Sequence, residues 1–318
     1  MQTKLFKSCQ TDQAAALLKN GQVVALPTET VYGLAADAKN EDAIKKIFLA
    51  KGRPSDHPLI VHIDSLDMLN EWAQEVSLQA KKLAEHFWPG PLTMVFKKRE
   101  SVSNLITGGL DTVAIRMPNH PVILDVITKL GNAVVAPSAN AHKKTSPTKP
   151  EHVLKTLDGK IAGIVDGGVC SIGIESTIID MTKENPVILR PGSITAKALE
   201  LVLKTKVQVP FDHNEKVSGN MKIHYQPEKP LFLLSLEQIE NLLHTESNVA
   251  VMHYSDLNKQ ESCLYYKMSS KRHDYAKDLY ATLHAIDATA VEKIFVETPP
   301  VLNEWSDVND RLLKASKK

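Results

Sequence analysis

At 318 residues, with 43% hydrophobic and 24% charged side chains, the chain exceeds the usual size of one domain and has a globular composition. No apolar run approaches the roughly 20 residues of a membrane span, and Met1-Gln2-Thr3-Lys4-Leu5-Phe6-Lys7 holds no apolar signal core. Cys9, Cys170 and Cys263 are too scattered for a disulfide framework, so a cytoplasmic protein with reduced thiols and no membrane contact is expected. Net charge is +1, with 24 basic and 21 acidic residues in 1–205 and 14 basic and 16 acidic beyond; neither half has the positive excess of a protein that grips RNA by its backbone.

The first 205 residues alternate helix and strand signals. Thr11 is placed to cap a helix ending at Gly21, and Val23-Val24-Ala25-Leu26 follows as a short β-rich run. Asn40 caps a second predicted helix with Ile44, Ile47 and Phe48 on one face, and Gly52 and Pro54 stop it. Buried strands are predicted at 59–63, 92–96, 113–116, 133–136, 176–181 and 187–189, which together imply an α/β domain with an open, twisted, mixed sheet over 1–205. Over 206–227 the periodicity fades into a polar stretch with Gly219 and Pro227, read as a linker. Strands at 230–234, 249–252, 263–266 and 293–296, with helices from about Leu236, Ser270 and Ser306, predict a smaller α/β unit over 228–318. That unit lacks phosphate-loop glycines, metal-ligand spacing and a nucleophile elbow.

The chemistry concentrates in the loops. Lys51-Gly52-Arg53-Pro54-Ser55-Asp56-His57 leaves a helix C-terminus, where cations complement the dipole by about 0.3–1 kcal/mol. An arginine fixed between glycine and proline also suits bidentate binding of an oxyanion. Ser138 and Asn140 follow the strand at 133–136 and open a polar loop through His142, Lys143, Lys144, Thr145 and Ser146. Such residues stabilise turns through their own backbone, or close over an anion at a strand end. The two segments together suit a polyphosphate. Pro27-Thr28-Glu29-Thr30-Val31-Tyr32-Gly33-Leu34 brings two hydroxyls and a carboxylate into a tight turn, with Thr30 chosen for ligand contact. Arg116, in an otherwise apolar strand, needs an internal carboxylate or that of a ligand, because an unpaired buried cation is costly; the ligand is favoured. Ser176 starts a strand, Arg190 ends one, and His62 lies within one, where a satisfied core histidine is the ordinary finding.

Taken in order, Pro-Thr-Glu-Thr-Val-Tyr-Gly-Leu at 27–34, Lys-Gly-Arg-Pro at 51–54, Pro-Leu-Ile-Val-His at 58–62, Trp-Pro-Gly-Pro-Leu-Thr at 88–93, Ala-Ile-Arg-Met-Pro at 114–118, Ala-Pro-Ser-Ala-Asn at 136–140, Glu-Ser-Thr at 175–177 and Leu-Arg-Pro-Gly at 189–192 resemble the YrdC-like threonylcarbamoyl-adenylate synthases. The resemblance is to the two-domain form, in which a linker leads to a C-terminal accessory domain. It extends there through Tyr275-Ala276-Lys277-Asp278-Leu279-Tyr280 and Val308-Asn309-Asp310-Arg311-Leu312. Lys51, Arg53, Ser138 and Asn140 match the family's Lys-x-Arg and Ser-x-Asn signature. The resemblance implies a YrdC-like mixed sheet with a smaller, Rossmann-like second domain.

It also implies a reaction: L-threonine, bicarbonate or carbon dioxide, and ATP would give threonylcarbamoyl-AMP and pyrophosphate. The product would feed the threonylcarbamoyl-transfer machinery that modifies tRNA beside the anticodon, with at most weak tRNA contact. By matching position, Thr30, His62, Arg116, the Ala136 backbone and Ser176 would bind threonine. Arg53, His57, Thr112, Ser138, Asn140, Ser146 and Arg190 would hold ATP, with Tyr225 of the linker reaching the nucleotide. Lys51 and Arg53 would act in catalysis by offsetting phosphate charge, and Mg2+ would ride on the phosphates. His57 stands where relatives typically have asparagine, and the segment 218–227, read as a lid, is a residue short. The rival from another class is an RNA-binding or translation-associated module without adenylate synthesis, against which the near-neutral charge weighs. Carbamoyl transfer of the hydrogenase-maturation kind is a second rival, whose cysteine clusters this chain lacks.

Overall fold

The computed structural model describes residues 2–210, 217–219, 221 and 223–317. Among them, ten strands form one sheet: Lys4–Lys7 (β1), Val24–Leu26 (β2), Gly33–Asp37 (β3), Ile60–His62 (β4), Leu92–Lys97 (β5), Thr112–Arg116 (β6), Val134–Val135 (β7), Gly163–Asp166 (β8), Thr177–Asp180 (β9) and Val187–Arg190 (β10). Their spatial order is β1-β8-β2-β3-β7-β4-β6-β5-β9-β10. β4 and β6 run parallel, as do β5 and β9, whereas β7 is antiparallel to both β3 and β4. The sheet is mixed, as its sequence predicts.

Burial of both faces explains the continuous apolar strands. Val24, Leu26, Ala35 and Val134 pack with helices Thr11–Lys19 and Pro121–Leu130, while Ala25, Leu34, Ala36 and Val135 join the core on the opposite face. Those two helices cover one half of their face. The other half carries only the smaller cluster of Ile60, Val95, Ile178, Val187 and Leu189, which leaves room for a cleft above β4, β6, β9 and β10.

Asn40 caps helix Glu41–Lys51, its Oδ1 accepting from the Ala43 amide at 3.0 Å, and Gly52 ends that helix in left-handed backbone at φ +60°. Thr11 does not cap. It lies inside its helix and donates its hydroxyl to Asp125 Oδ2 at 2.5 Å, tying the two covering helices together. Three strands escape the sequence reading for physical reasons. β1, at the sheet's edge, is four residues flanked by lysines with only Phe6 buried, β3 is built of Gly-Leu-Ala-Ala-Asp with low β propensity, and β8 opens on glycine.

The second unit holds four parallel strands, Leu231–Leu234 (β11), Val249–His253 (β12), Leu264–Lys267 (β13) and Lys293–Glu297 (β14), ordered β11-β14-β12-β13 among the described residues. Helix Arg272–Asp287 buries Tyr275, Leu279, Tyr280 and Leu283 in a core that also takes in Val31 and Ile174 of the first unit and Tyr225 between them. The two units therefore share a core. The backbones of the two units approach closely at Gly173: its φ is +76°, and a Cβ there would sit 2.2 Å from the Lys277 carbonyl oxygen. Nearby, His284 lies against His152 with ring centroids 3.8 Å apart and donates from Nε2 to the Ser146 carbonyl at 3.1 Å.

Two predictions follow from this interface. Gly173→Ala pays the left-handed backbone cost of about 1–2 kcal/mol and meets the Lys277 carbonyl besides, so the midpoint of thermal unfolding should fall by at least about 2–8 °C. Burial, aided by the facing ring, holds His152 at about 3, and burial holds His284 at about 4. Both stay neutral in the folded chain while the unfolded chain takes up protons below about 6.5, so stability is full above that pH and declines as pH falls toward 4. Calorimetry at pH 7 and pH 5 should show the lower midpoint at pH 5. His284→Gln, which keeps a donor for Ser146 but does not titrate, should narrow the gap.

Candidate active site

The cleft on the open half of the sheet is lined by polar and charged side chains set among Val31, Ile60, Ala136 and Pro137. At one end, β4 and β6 pair His62 with Arg116 in register, so both side chains rise from the same face. Arg116 Nη1 donates to Thr30 Oγ1 at 2.9 Å and Nε to the Gly90 carbonyl at 3.2 Å. Its Nη2 lies 2.7 Å from Glu29 Oε1. Arg116 thus has an internal carboxylate beside it, the other of the two partners the sequence allowed. That pair is close but poorly aligned: Nη2 and both Glu29 oxygens are buried without a hydrogen-bond partner.

Thr28 orders the turn beside it. Its hydroxyl donates to the Val31 carbonyl at 2.7 Å and accepts from the Thr30 and Val31 amides. His62 Nδ1 faces the Ile60 carbonyl at 3.2 Å, which assigns the proton to Nδ1 and leaves Nε2 as an acceptor. Burial, reinforced by the Arg116 charge, lowers this histidine to about 3, so the ring is neutral at physiological pH.

The other end is cationic. Arg53 donates from Nη2 to the Pro58 carbonyl at 2.9 Å, its Nε is buried without a partner, and burial lowers it only to about 10, so it stays charged. Lys51 is turned away. Its Nζ donates to the carbonyls of Ser138 and Asn140, the latter at 2.6 Å, and it is absent from the cleft lining. Burial first, then the Arg53 charge, push its pKa well below that of an ordinary lysine. Ser138 and Ala136 line the cleft, whereas Asn140 donates from Nδ2 to the Ala141 and Lys144 carbonyls and shapes the turn from behind.

Ser176 and Arg190 form the far wall. Ser176 Oγ sits 2.7 Å from Thr93 Oγ1, and Arg190 donates from Nε and Nη2 to the Ser176 carbonyl at 3.0 and 2.8 Å. Arg190 Nη1 donates to the Ser218 carbonyl at 2.9 Å, which draws the linker over the cleft. Tyr225, at φ +62°, is 1% exposed and its hydroxyl has no partner. The Thr145 hydroxyl donates to the Tyr225 carbonyl at 3.3 Å, and the Gln226 amide donates to the Lys143 carbonyl at 2.8 Å.

Three further expected residues lie off the cleft. The half-buried His57 ring sits 5.5 Å from His142, Thr112 occupies the end of β6 remote from Arg116, and Ser146 donates its hydroxyl to Glu175 Oε1 at 2.6 Å. Conversely, Thr28, Glu175, Ser218 and His224 line the cleft but were not singled out from sequence. Glu175 also accepts from Tyr280 Oη at 2.9 Å and Arg311 Nε at 2.8 Å, both from the second unit. Burial alone would raise its pKa. The Arg311 and Arg190 charges, with the hydrogen bonds from Arg311 and Ser146, outweigh burial and hold it at about 2. An acidic residue within Gly-Ile-Glu-Ser-Thr was the available signal.

A family model described as "Telomere recombination" matches residues 16–192, and one described as "Threonylcarbamoyl-AMP synthase, C-terminal domain" matches 194–317. The chain belongs to the threonylcarbamoyl-AMP synthase family. The Bacillus subtilis threonylcarbamoyl-AMP synthase is 44% identical, with 96% of this chain and 93% of that protein aligned. The Pyrococcus abyssi threonylcarbamoyl-AMP synthase is 39% identical over 95% of this chain and 93% of its own length. The crystal structure of P. abyssi Sua5 complexed with L-threonine superposes with a TM-score of 0.91 at 37% identity, covering 99% of this chain and 98% of that one. Among the described residues, no helix is long and apolar enough to cross a membrane.

Proposed function

We propose that this chain condenses L-threonine, bicarbonate or carbon dioxide, and ATP into threonylcarbamoyl-AMP and pyrophosphate. The observation that carries this reading is one cleft with two chemistries. Thr30, Arg116 and neutral His62 sit at one end, and the charged, partly unbonded Arg53 with Ser138 sits at the other. A relative solved with L-threonine supports the amino acid as a ligand, and the Arg116 and His62 groups at the first end suit its carboxylate and amine.

There, the unbonded N–H of Arg116 Nη2 would take the threonine carboxylate, and Nε2 of His62, an acceptor, would take a donor from the amine or hydroxyl. The neutral amine adds to the carbon of carbon dioxide, forming a C–N bond as one C=O π bond opens, and the nitrogen releases a proton to solvent to leave an anionic carbamate. A carbamate oxygen then attacks the α-phosphorus of ATP, and the bond from that phosphorus to the bridging oxygen breaks as pyrophosphate leaves. The nucleophile is already an anion, so no strong base is needed. Positioning and fixed positive charge from Arg53 and Arg190 carry the acceleration. Lys51 serves this reading indirectly, by holding the Ser138–Asn140 carbonyls in place.

Glu29 faces Arg116 with both oxygens short of a hydrogen bond, Glu175 is bonded to Ser146, Tyr280 and Arg311, and the described residues hold no cluster of three or more His, Cys, Asp or Glu. Any magnesium arrives on the triphosphate, where it would offset phosphate charge. The adenylate product would pass to the proteins that transfer threonylcarbamoyl to tRNA.

Pyrophosphate release from ATP should require both L-threonine and bicarbonate and should fall at least about 100-fold in Arg53→Ala, the loss typical of one electrostatic donor. L-Valine in place of threonine should lower kcat/KM by roughly 10⁴-fold, as for a site built around a substrate hydroxyl. No release under any condition, with salt-sensitive tRNA binding instead, would favour the RNA-binding module.

A further inference from the structure

Two fully buried side chains of the accessory unit, Tyr280 and Arg311, reach Glu175 in the cleft wall, and Arg311 makes the wider set of contacts. Arg311, on helix Ser306–Ser316, has a side-chain exposure of 0%. It donates from Nε to Glu175 Oε2 at 2.8 Å, from Nη2 to the Pro191 carbonyl at 3.0 Å and from Nη1 to Asp310 Oδ2 at 2.6 Å. Its guanidinium carbon also lies 5.1 Å from the centre of the Tyr225 ring. Glu175 and Tyr225 line the cleft, and Pro191 immediately follows Arg190, whose guanidinium is fixed to Ser176 and Ser218. One arginine thus touches a wall, a turn and the linker.

The charges nearby give this contact a consequence. Glu175 is bonded to Arg311 of the second unit, and the residue that follows it, Ser176, accepts from Arg190 of the first at both its carbonyl and its hydroxyl, so both charges act on the carboxylate. Without Arg311 the carboxylate would remain buried, and Arg190, bonded at the neighbouring Ser176, would be left to compensate it. An arginine drawn toward an internal carboxylate offers less to an incoming phosphate. We propose that Arg311 is a positioning residue for nucleotide binding: it holds Glu175, the Pro191 turn and Tyr225 in one arrangement, and it supplies the counter-charge that leaves Arg190 available to the triphosphate. The proposal rests on the synthase reading only in taking ATP as the ligand.

The test is ATP affinity of the full-length protein by titration calorimetry, with pyrophosphate release measured separately. Arg311→Met should weaken ATP binding at least about tenfold while the affinity for L-threonine changes less than about twofold. Arg311→Lys keeps the charge but loses the fork, and should fall between the two. The deciding variant is the double substitution Arg311→Met with Glu175→Gln, which removes the stranded charge and should recover most of the lost ATP affinity. A purely structural role for Arg311 predicts no recovery, because both packing and hydrogen bonds are then further reduced. Unchanged ATP affinity in Arg311→Met, or a double variant no better than the single one, would overturn the proposal. Should Arg311→Met fail to fold, Arg311→Lys and the double variant decide it by the same comparison. Wild-type protein that binds ATP yet releases no pyrophosphate would count against the synthase reading and leave the affinity comparison intact.

Discussion

Positive charge has to be buried here without being cancelled, and the cleft depends on how that is done. A buried cation needs partners, and a carboxylate is the strongest one, but a carboxylate also removes the charge that an anionic ligand would seek. Most of the cations are held by carbonyl oxygens. Lys51 is held by Ser138 and Asn140, Arg53 by Pro58, and Arg190 by Ser176 and Ser218. Carbonyl dipoles satisfy the N–H groups and leave net positive potential in place, a form of preorganisation suited to charge that appears on phosphate during transfer. Arg116 is the exception, set against Glu29, and it lies at the end where the ligand is a zwitterion.

The same economy explains how the two units are joined. Their shared core of Val31, Ile174, Tyr225 and Tyr280 is apolar, but at its centre Glu175 takes hydrogen bonds from Ser146 on one side and from Tyr280 and Arg311 on the other. A buried carboxylate with every oxygen satisfied is directional in a way that packed side chains are not. It fixes how the accessory unit faces the cleft.

Much of this was legible from sequence because it is local. Short apolar runs marked β2, β4, β5, β6, β9 and β10 within a residue or two, and Asn40 and Gly52 announced the helix that delivers Arg53. Motif matching brought Thr30, Arg53, His62, Arg116, Ala136, Ser138, Ser176, Arg190 and Tyr225 to one cleft. What the sequence did not report was each side chain's partner within the protein. Lys51 and Asn140 serve the loop's own carbonyls, Ser146 turns toward Glu175, and Arg116 meets Glu29. Thr11, placed like a cap, bonds Asp125 on another helix. Arg311 and Glu175 are 136 residues apart, and no periodicity or local propensity reports a contact between domains. The short strand β3 was hidden because glycine and alanine resemble a turn until their neighbours β2 and β7 bury them.

The register between β4 and β6 also says where this chain can change length. His62 faces the cleft only because Ile60 pairs with Ala114 and His62 with Arg116; a single inserted residue within β4 would rotate His62 to the opposite face and put Val61 or Ile63 in its place. The same insertion in the exposed turn at 74–77, between helices Leu66–Trp72 and Leu78–Phe87, would leave that pairing untouched. Length variation among sequences of this kind should therefore collect in such turns and stop at the edges of the three residues of β4.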